Sequence, residues 1–154
     1  MNSSLDVIDQ AAGLQAGTPL HTARRFRDTA VRATQASHDA LLREPVPGLS
    51  TADRLRVAVH ACRAAGADEL AAHYNTLLEG EAAPPSSALP RMLAFATLLG
   101  TDPRHGDRAA IHALKAAGLS DAAIVALAQL IAFLSYQTRV VAGLKALQAL
   151  GAPA

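Results

Sequence analysis

The chain has little of what redox, nucleic-acid and disulfide chemistry need. Among its 154 residues there is one cysteine, no tryptophan, two tyrosines and three phenylalanines. A single thiol excludes an intrachain disulfide and a dithiol redox cycle within the chain, and it is typical of a reducing compartment. Five aromatic rings leave little for stacking on bases. The formal net charge of +1 also argues against a nucleic-acid partner, because the basic run at residues 24–27 is diluted by nearby acidic residues.

Signals for export or membrane insertion are also missing. The first residues carry no basic start, and acidic residues interrupt them before an apolar signal core can form. The most apolar stretch, residues 122–134, is too short to span a bilayer. We therefore expect a cytoplasmic protein with no membrane partner.

What is present predicts an all-α fold. Alanine supplies much of the 51% hydrophobic content, and no sustained alternation of β-branched and aromatic residues indicates a strand. We predict one domain over residues 1–154, with about six or seven helices and an internal loop at residues 81–87. The predicted helices cover residues 5–14 (capped by Ser3 or Ser4), 20–42 with a possible break near Arg27, 50–66, 67–79, 89–99, 107–117 and 121–150. The last helix is apolar on nearly every side from 124 to 133, so we expect it to be buried in a core or an interface.

Cys62 is the first candidate for chemistry. It lies late in its predicted helix, on the same apolar stripe as Leu55 and Val59. At that end the helix dipole favours the thiol over the thiolate. A buried core cysteine is therefore the preferred interpretation, and a reactive cysteine is the alternative.

The histidines do not form a metal-binding pattern by spacing, so we predict no metal site and no cofactor. Glu69, His73 and Tyr74 make the densest polar group. Glu69 and His73 stand four residues apart, so the carboxylate can hold the imidazole as a proton relay or as an ordinary surface pair. Arg139, beside Tyr136 in the apolar last helix, needs a partner, a cavity or a neighbouring subunit.

Several segments of the chain resemble one known family. They are LSDAAIVALAQLIAF at 119–133, YQTRVVAGL at 136–144, DVID at 6–9, QASHDAL at 35–41, RLRVA at 54–58 and AAHY at 71–74. Together they are similar to the alkylhydroperoxidase D-like (AhpD-like) proteins of the carboxymuconolactone decarboxylase superfamily, the CMD-domain proteins. The resemblance covers most of the chain and weakens between residues 81 and 97. It implies the compact helical fold of that family.

The redox motif of the peroxidase branch is absent. The family pattern is a glutamate, then about a dozen residues later Cys-x-x-Cys, followed by three residues and a histidine. If His73 matches that histidine, Gly66 and Glu69 occupy the cysteine positions and Arg54 occupies the glutamate position. One residue later, Tyr74 would match the histidine, and the other positions would be Ala67, Leu70 and Leu55. Neither frame restores the cysteine pair.

The resemblance therefore implies peroxiredoxin-type antioxidant activity for the family, but a redox-degenerate accessory or oligomeric subunit for this chain. We expect a homo-oligomer, and a hetero-complex with a cysteine-containing peroxidase-like protein is a further hypothesis. Whether the chain is an enzyme stays open. One alternative is a decarboxylase-type enzyme in which His73 is the acid/base, Glu69 orients it, and Arg139 with Tyr136 binds substrate. The other is a one-cysteine peroxidase that uses Cys62.

Overall fold

The computed structural model describes residues 6–151, and these residues form α-helices without a strand. Eight α-helices and one 3₁₀ turn, Pro103–His105, make up this part of the chain. The helices are α1 (Val7–Ala12), α2 (Pro19–Arg25), α3 (Asp28–Arg43), α4 (Thr51–Ala64), α5 (Asp68–Glu79), α6 (Leu89–Thr101), α7 (Arg108–Ala116) and α8 (Asp121–Ala149). The predicted all-α class and the long last helix are confirmed.

Helix starts follow the capping chemistry of the sequence. The side chains of Thr18, Ser50 and Ser120 each accept a hydrogen bond from a backbone N–H in the first turn of α2, α4 and α8. Asp6 caps α1 in the same way, as part of a reciprocal capping box with Asp9. The predicted caps Ser3 and Ser4 lie outside the described residues.

The described residues form eight helices where about six or seven were predicted, because the segment 20–42 is two helices, and the possible break near Arg27 is confirmed. Arg27, with φ −105° and ψ 62°, leaves the helical region and separates α2 from α3. The break turns the end of α2 towards α1, where Arg24 and Arg25 bind the buried Asp9 carboxylate at 2.5 and 2.8 Å. The break between α2 and α3 is therefore accompanied by ion pairs from α2 to α1.

Helix α4 lies at the centre of the fold, packed against α5, α6 and α8. The turn between α4 and α5 needs a left-handed residue, which Gly66 supplies with φ +67°. The core is built from buried aliphatic side chains of α1, α4, α5, α6 and α8. The loop at residues 81–87 is exposed, but Arg56 donates to the Ala83 carbonyl at 2.6 Å and Ser86 N–H donates to Asp53.

Helix α8 is buried on one side only. Leu127, Leu130 and Leu134 enter the core, whereas Val125 is 57% exposed. The expected burial of this helix in the core is confirmed for its inward side, and the apolar residues of its outer side stay exposed in the single chain. By length and composition α8 is apolar enough to cross a membrane, and its buried leucines are equally typical of a core helix.

Candidate functional site

A cluster of aromatic and polar side chains forms where α3, α5 and α8 meet. The His38 ring of α3 lies 5.6 Å from the His73 ring of α5 and stacks on the Tyr74 ring at 5.8 Å, measured between ring centroids. Gln137 of α8 closes the cluster through a hydrogen bond to Tyr74. Three helices distant in the sequence thus bring two imidazoles next to each other.

The protonation of His38 follows from its hydrogen bonds. Its Nδ1 lies 3.0 Å from the Asp39 carboxylate, which also accepts from the Gln35 amide at 3.2 Å. The Gln35 amide oxygen accepts from the Val7 N–H, which fixes the direction of that amide. Partial burial opposes the charge of Asp39, but its hydrogen bond with His38 and the nearby positive charges outweigh this and lower its pKa. An ionised Asp39 only accepts, so His38 Nδ1 carries the proton.

Both imidazoles then present a buried nitrogen without a hydrogen-bond partner. His38 is 4% exposed, and neither its Nε2 nor that of His73 has a partner among the described residues. Desolvation, and to a smaller degree the neighbouring His38, lowers the pKa of His73. His73 is therefore neutral at pH 7 and able to accept a proton.

Tyr74 has a structural role in the cluster, because it connects α5 to α8. Its hydroxyl donates to the Gln137 amide oxygen at 2.5 Å, and both side chains are buried. Burial, followed by the neighbouring Cys62, raises the pKa of Tyr74 far above the physiological range. The phenol therefore stays protonated and ties α5 to α8.

His73 also lines a cleft of about 400 Å³ between α1, α2, α3 and α5. Polar and charged side chains make up most of its wall: Asp6, Gln10, Arg25, Arg32 and Gln35. Its volume lies within the usual range of small-molecule sites. The cleft thus brings the His73 side chain next to several charged side chains.

Cys62 lies apart from this cleft, in the core. Its exposed fraction is 0%, and burial raises the pKa of the thiol to about 12. The preferred interpretation of the sequence, a buried core cysteine, agrees with this placement. The thiol has neither the exposure nor the lowered pKa of a reactive cysteine.

The predicted pairing of Glu69 with His73 is wrong. Glu69 is exposed and binds Lys145 of α8 at 2.5 Å, and this hydrogen bond is the main cause of its lowered pKa. Lys145 is the stronger partner because it is a full cation, whereas His73 is neutral and half-buried.

Arg139 and Tyr136 lie away from His73. Arg139 lines a separate, mostly apolar cavity of about 210 Å³ between α4, α6 and α8. Gln137, two residues earlier on α8, faces Tyr74, so Arg139 projects about 200° around the helix from it. Tyr136 is 48% exposed and contacts Thr34 through its hydroxyl at 3.3 Å. The decarboxylase-type alternative requires His73, Glu69 and Arg139 to meet in one pocket, and they do not.

Sequence reasoning did not single out His38 and its partners. The signal was present, because Gln35, His38 and Asp39 stand at helical spacings of three and four residues. This spacing predicts hydrogen bonds among the three side chains of α3. It does not predict the contact with His73, which lies on another helix.

Arg54, which stands where one frame of the family pattern has glutamate, is buried. Its guanidinium donates to the Leu41 carbonyl at 2.7 Å and to the Thr51 hydroxyl at 3.1 Å. Burial lowers its pKa, and the charge of Glu81 partly opposes this. Across residues 6–151, no group of three or more histidine, cysteine or acidic side chains is placed to hold a metal ion.

Comparison with solved structures finds a similar fold. An uncharacterized peroxidase-related protein from Silicibacter sp. TM1040 superposes with a TM-score of 0.56 at 20% sequence identity. The match covers 73% of this chain and 66% of that protein, slightly less than two thirds of its length. No protein-family model matches the chain. A search of curated proteins likewise finds no match.

Proposed function

We propose that this chain is a redox-silent member of the AhpD-like, CMD-domain superfamily that serves as an accessory or oligomeric subunit. The segments that resemble this family and the fold shared with a peroxidase-related protein support the family. The burial of Cys62 is the observation that supports the absence of thiol redox activity. In this view the scaffold is kept and the thiol chemistry is lost.

Peroxide reduction by thiols needs two sulfur atoms in sequence. A thiolate attacks the peroxide oxygen, breaks the O–O bond and becomes a sulfenic acid while an alcohol or water leaves. A second thiol then condenses with the sulfenic acid to a disulfide and releases water. Cys62 is protonated and shielded, and the chain has no second thiol. The chain therefore supplies neither the thiolate for the first step nor the second thiol for the second step.

The exposed face of α8 supports association. Val125, Tyr136 and Leu147 are the large hydrophobic side chains that this helix leaves exposed, and Leu150 follows directly after its end. Apolar faces of this kind are typical of subunit contacts. A homo-oligomer is the first proposal, and a hetero-complex with a cysteine-containing peroxidase-like protein in the cytoplasm is the second.

Peroxide consumption tests the redox part. The purified protein is mixed with hydrogen peroxide or an alkyl hydroperoxide and a dithiol reductant, beside Cys62→Ser and Cys62→Ala. We expect the rate of all three to equal that of buffer. Turnover by the wild type that both variants lose would show a working Cys62 and overturn the proposal.

Sedimentation analysis tests the subunit part. Val125→Glu places a charge on the exposed face of α8, and Leu77→Glu on α5 is the matched control. We expect an oligomer that Val125→Glu dissociates and Leu77→Glu leaves intact. A wild-type chain that sediments as a monomer at every concentration would remove the homo-oligomer.

A second candidate function is non-redox acid/base catalysis by His73 alone, without the Glu69, Arg139 and Tyr136 contacts of the decarboxylase alternative, which lie elsewhere. The neutral His73 beside the oriented His38, at the wall of a cleft, favours it. The assay is loss of carboxymuconolactone with wild type, His73→Gln and the exposed control His105→Gln. Activity that only His73→Gln abolishes supports it, and no activity in the wild type refutes it for this substrate.

A further inference from the structure

The cavity between α4, α6 and α8 is large enough for a small organic molecule. Its volume is about 210 Å³, and the buried side chains of Ala96, Ile131 and Leu134 are part of its mostly apolar wall. Gly100 also lines it, and a Cβ added there would meet no atom within 4 Å. An apolar cavity of about 150 Å³ can hold a benzene ring, so this one has room for a single ring or a short chain.

Arg139 is an unpaired cation at this cavity. It lines the wall and is exposed, and its side chain forms no ion pair or hydrogen bond with another of residues 6–151. The other residues described on the wall are uncharged. The guanidinium is therefore accessible and keeps its N–H donors free for a ligand.

The helices around the cavity supply no free negative charge to compensate Arg139. The acidic residues of α4 and α8, and the one that directly follows α6, already bind cations: Asp53 binds Arg56, Asp121 binds Lys115 and Asp102 binds Arg104. Within its described range, α6 itself has no acidic residue. The positive charge of Arg139 thus remains, and it favours an anion at the cavity.

Ser135 offers a second polar group on the same wall. It stands one turn before Arg139 on α8, and residues four apart share a helix face. Its side chain is half-buried, and its hydroxyl has no hydrogen-bond partner in the described part of the chain. A guanidinium and a hydroxyl can each donate to one of the two oxygens of a carboxylate.

We propose that this cavity binds a small apolar monocarboxylate, an acid with a single ring or a short chain. Its apolar part packs against Ile131 and Leu134, and its carboxylate accepts hydrogen bonds from Arg139 and Ser135. A carboxylate carries one negative charge, which matches one guanidinium, whereas a phosphate ester carries about −1.5 to −2 at pH 7. The proposal goes beyond the redox-silent subunit role, uses no group of the His73 cleft and requires no turnover.

Binding is measured by NMR of the backbone amides of the full chain at pH 7, with benzoate and hexanoate as probes. We expect saturable shifts centred on Gly100 and Ser135. Benzamide has the shape of benzoate without its charge, and acetate has the charge without the apolar part. Each should bind at least about tenfold more weakly than benzoate, because one loses the charge-assisted hydrogen bond and the other loses the apolar burial.

Variants test the same contacts from the side of the protein. Arg139→Gln should weaken benzoate binding by about tenfold or more, and Arg139→Lys should restore part of it. Arg108→Gln is the matched control, because Arg108 is exposed on α7 and does not line the cavity. Ala142→Leu enlarges a side chain on the wall and should also weaken binding, whereas Ala146→Leu, one turn later on the exposed surface, should not.

Several outcomes overturn the proposal. No saturation by benzoate or hexanoate does so, and so does benzamide that binds as tightly as benzoate, a result that needs no variant. Equal losses in Arg139→Gln and Arg108→Gln would remove the role of Arg139. Tighter binding of phenyl phosphate than of benzoate would assign a phosphoryl group instead. Shifts of the Gly100 and Ser135 amides that follow protein concentration and not benzoate would show a second copy of the chain at the cavity.

Discussion

Unfolding the chain is expected to change the reactivity of Cys62 by several orders of magnitude. The thiol is 0% exposed, and its pKa of about 12 lies well above the ordinary value of 9.0. At pH 7 about one thiol in 100,000 is then ionised in the folded protein, against about one in 100 for an ordinary thiol. Since the thiolate is the nucleophile, ionisation alone slows labelling about 1,000-fold, and burial slows it further.

The assay is the rate of labelling by a chromogenic disulfide reagent at pH 7, from zero to fully denaturing urea. Labelling in the folded state requires an opening reaction, so the logarithm of the rate should follow the free energy of that opening as urea increases. Cys62→Ser supplies the background. A native rate within tenfold of the unfolded rate would refute both the burial and the raised pKa on which the redox-silent proposal depends.

Buried polar groups of the fold predict three further results. Asp9→Asn should lower the free energy of unfolding by about 3–5 kcal/mol in urea denaturation, because it leaves two arginines beside a neutral amide; a loss below about 1 kcal/mol would contradict this. Tyr74→Phe should cost about 1–3 kcal/mol by the same measurement, since Gln137 loses its buried donor, and an unchanged midpoint would count against the hydrogen bond. Because the pKa of His73 is lowered by folding, the unfolded state binds more protons, so stability should be complete above about pH 6.5 and fall below it. His73→Gln should flatten that fall, and an unchanged pH profile would disprove the assignment.

The helical fold could be predicted because its signals are local. Thr18 with Pro19, Ser50 and Ser120 begin helices as expected, and Gly66 supplies the left-handed turn after α4. The possible break near Arg27 lies where the sequence placed it, but the ion pairs from the end of α2 to the buried Asp9 of α1 could not be predicted. Local propensity does not report such tertiary contacts.

The candidate site was predictable only in its separate parts. Helical periodicity placed Cys62 in the core, since one stripe carries it with Leu55 and Val59. The same periodicity paired Glu69 with His73, but spacing cannot show that Lys145 of another helix competes for the carboxylate. The meeting of His38 with His73 is likewise a property of helix packing, so no spacing within the sequence predicts it.

The buried Arg54 cannot accept or pass on a proton as a carboxylate at its position could. A carboxylate at that position could pass a proton at neutral pH, but a guanidinium stays charged and only donates. Here it donates to the Leu41 carbonyl and to Thr51, which ties the end of α3 to α4 instead of serving a thiol. Tyr74 is held protonated and Cys62 is unable to ionise, so neither can replace it. Within this part of the core, a neutral base beside a cleft is left only at His73, with His38 behind it, and the test of acid/base catalysis is therefore made at this imidazole.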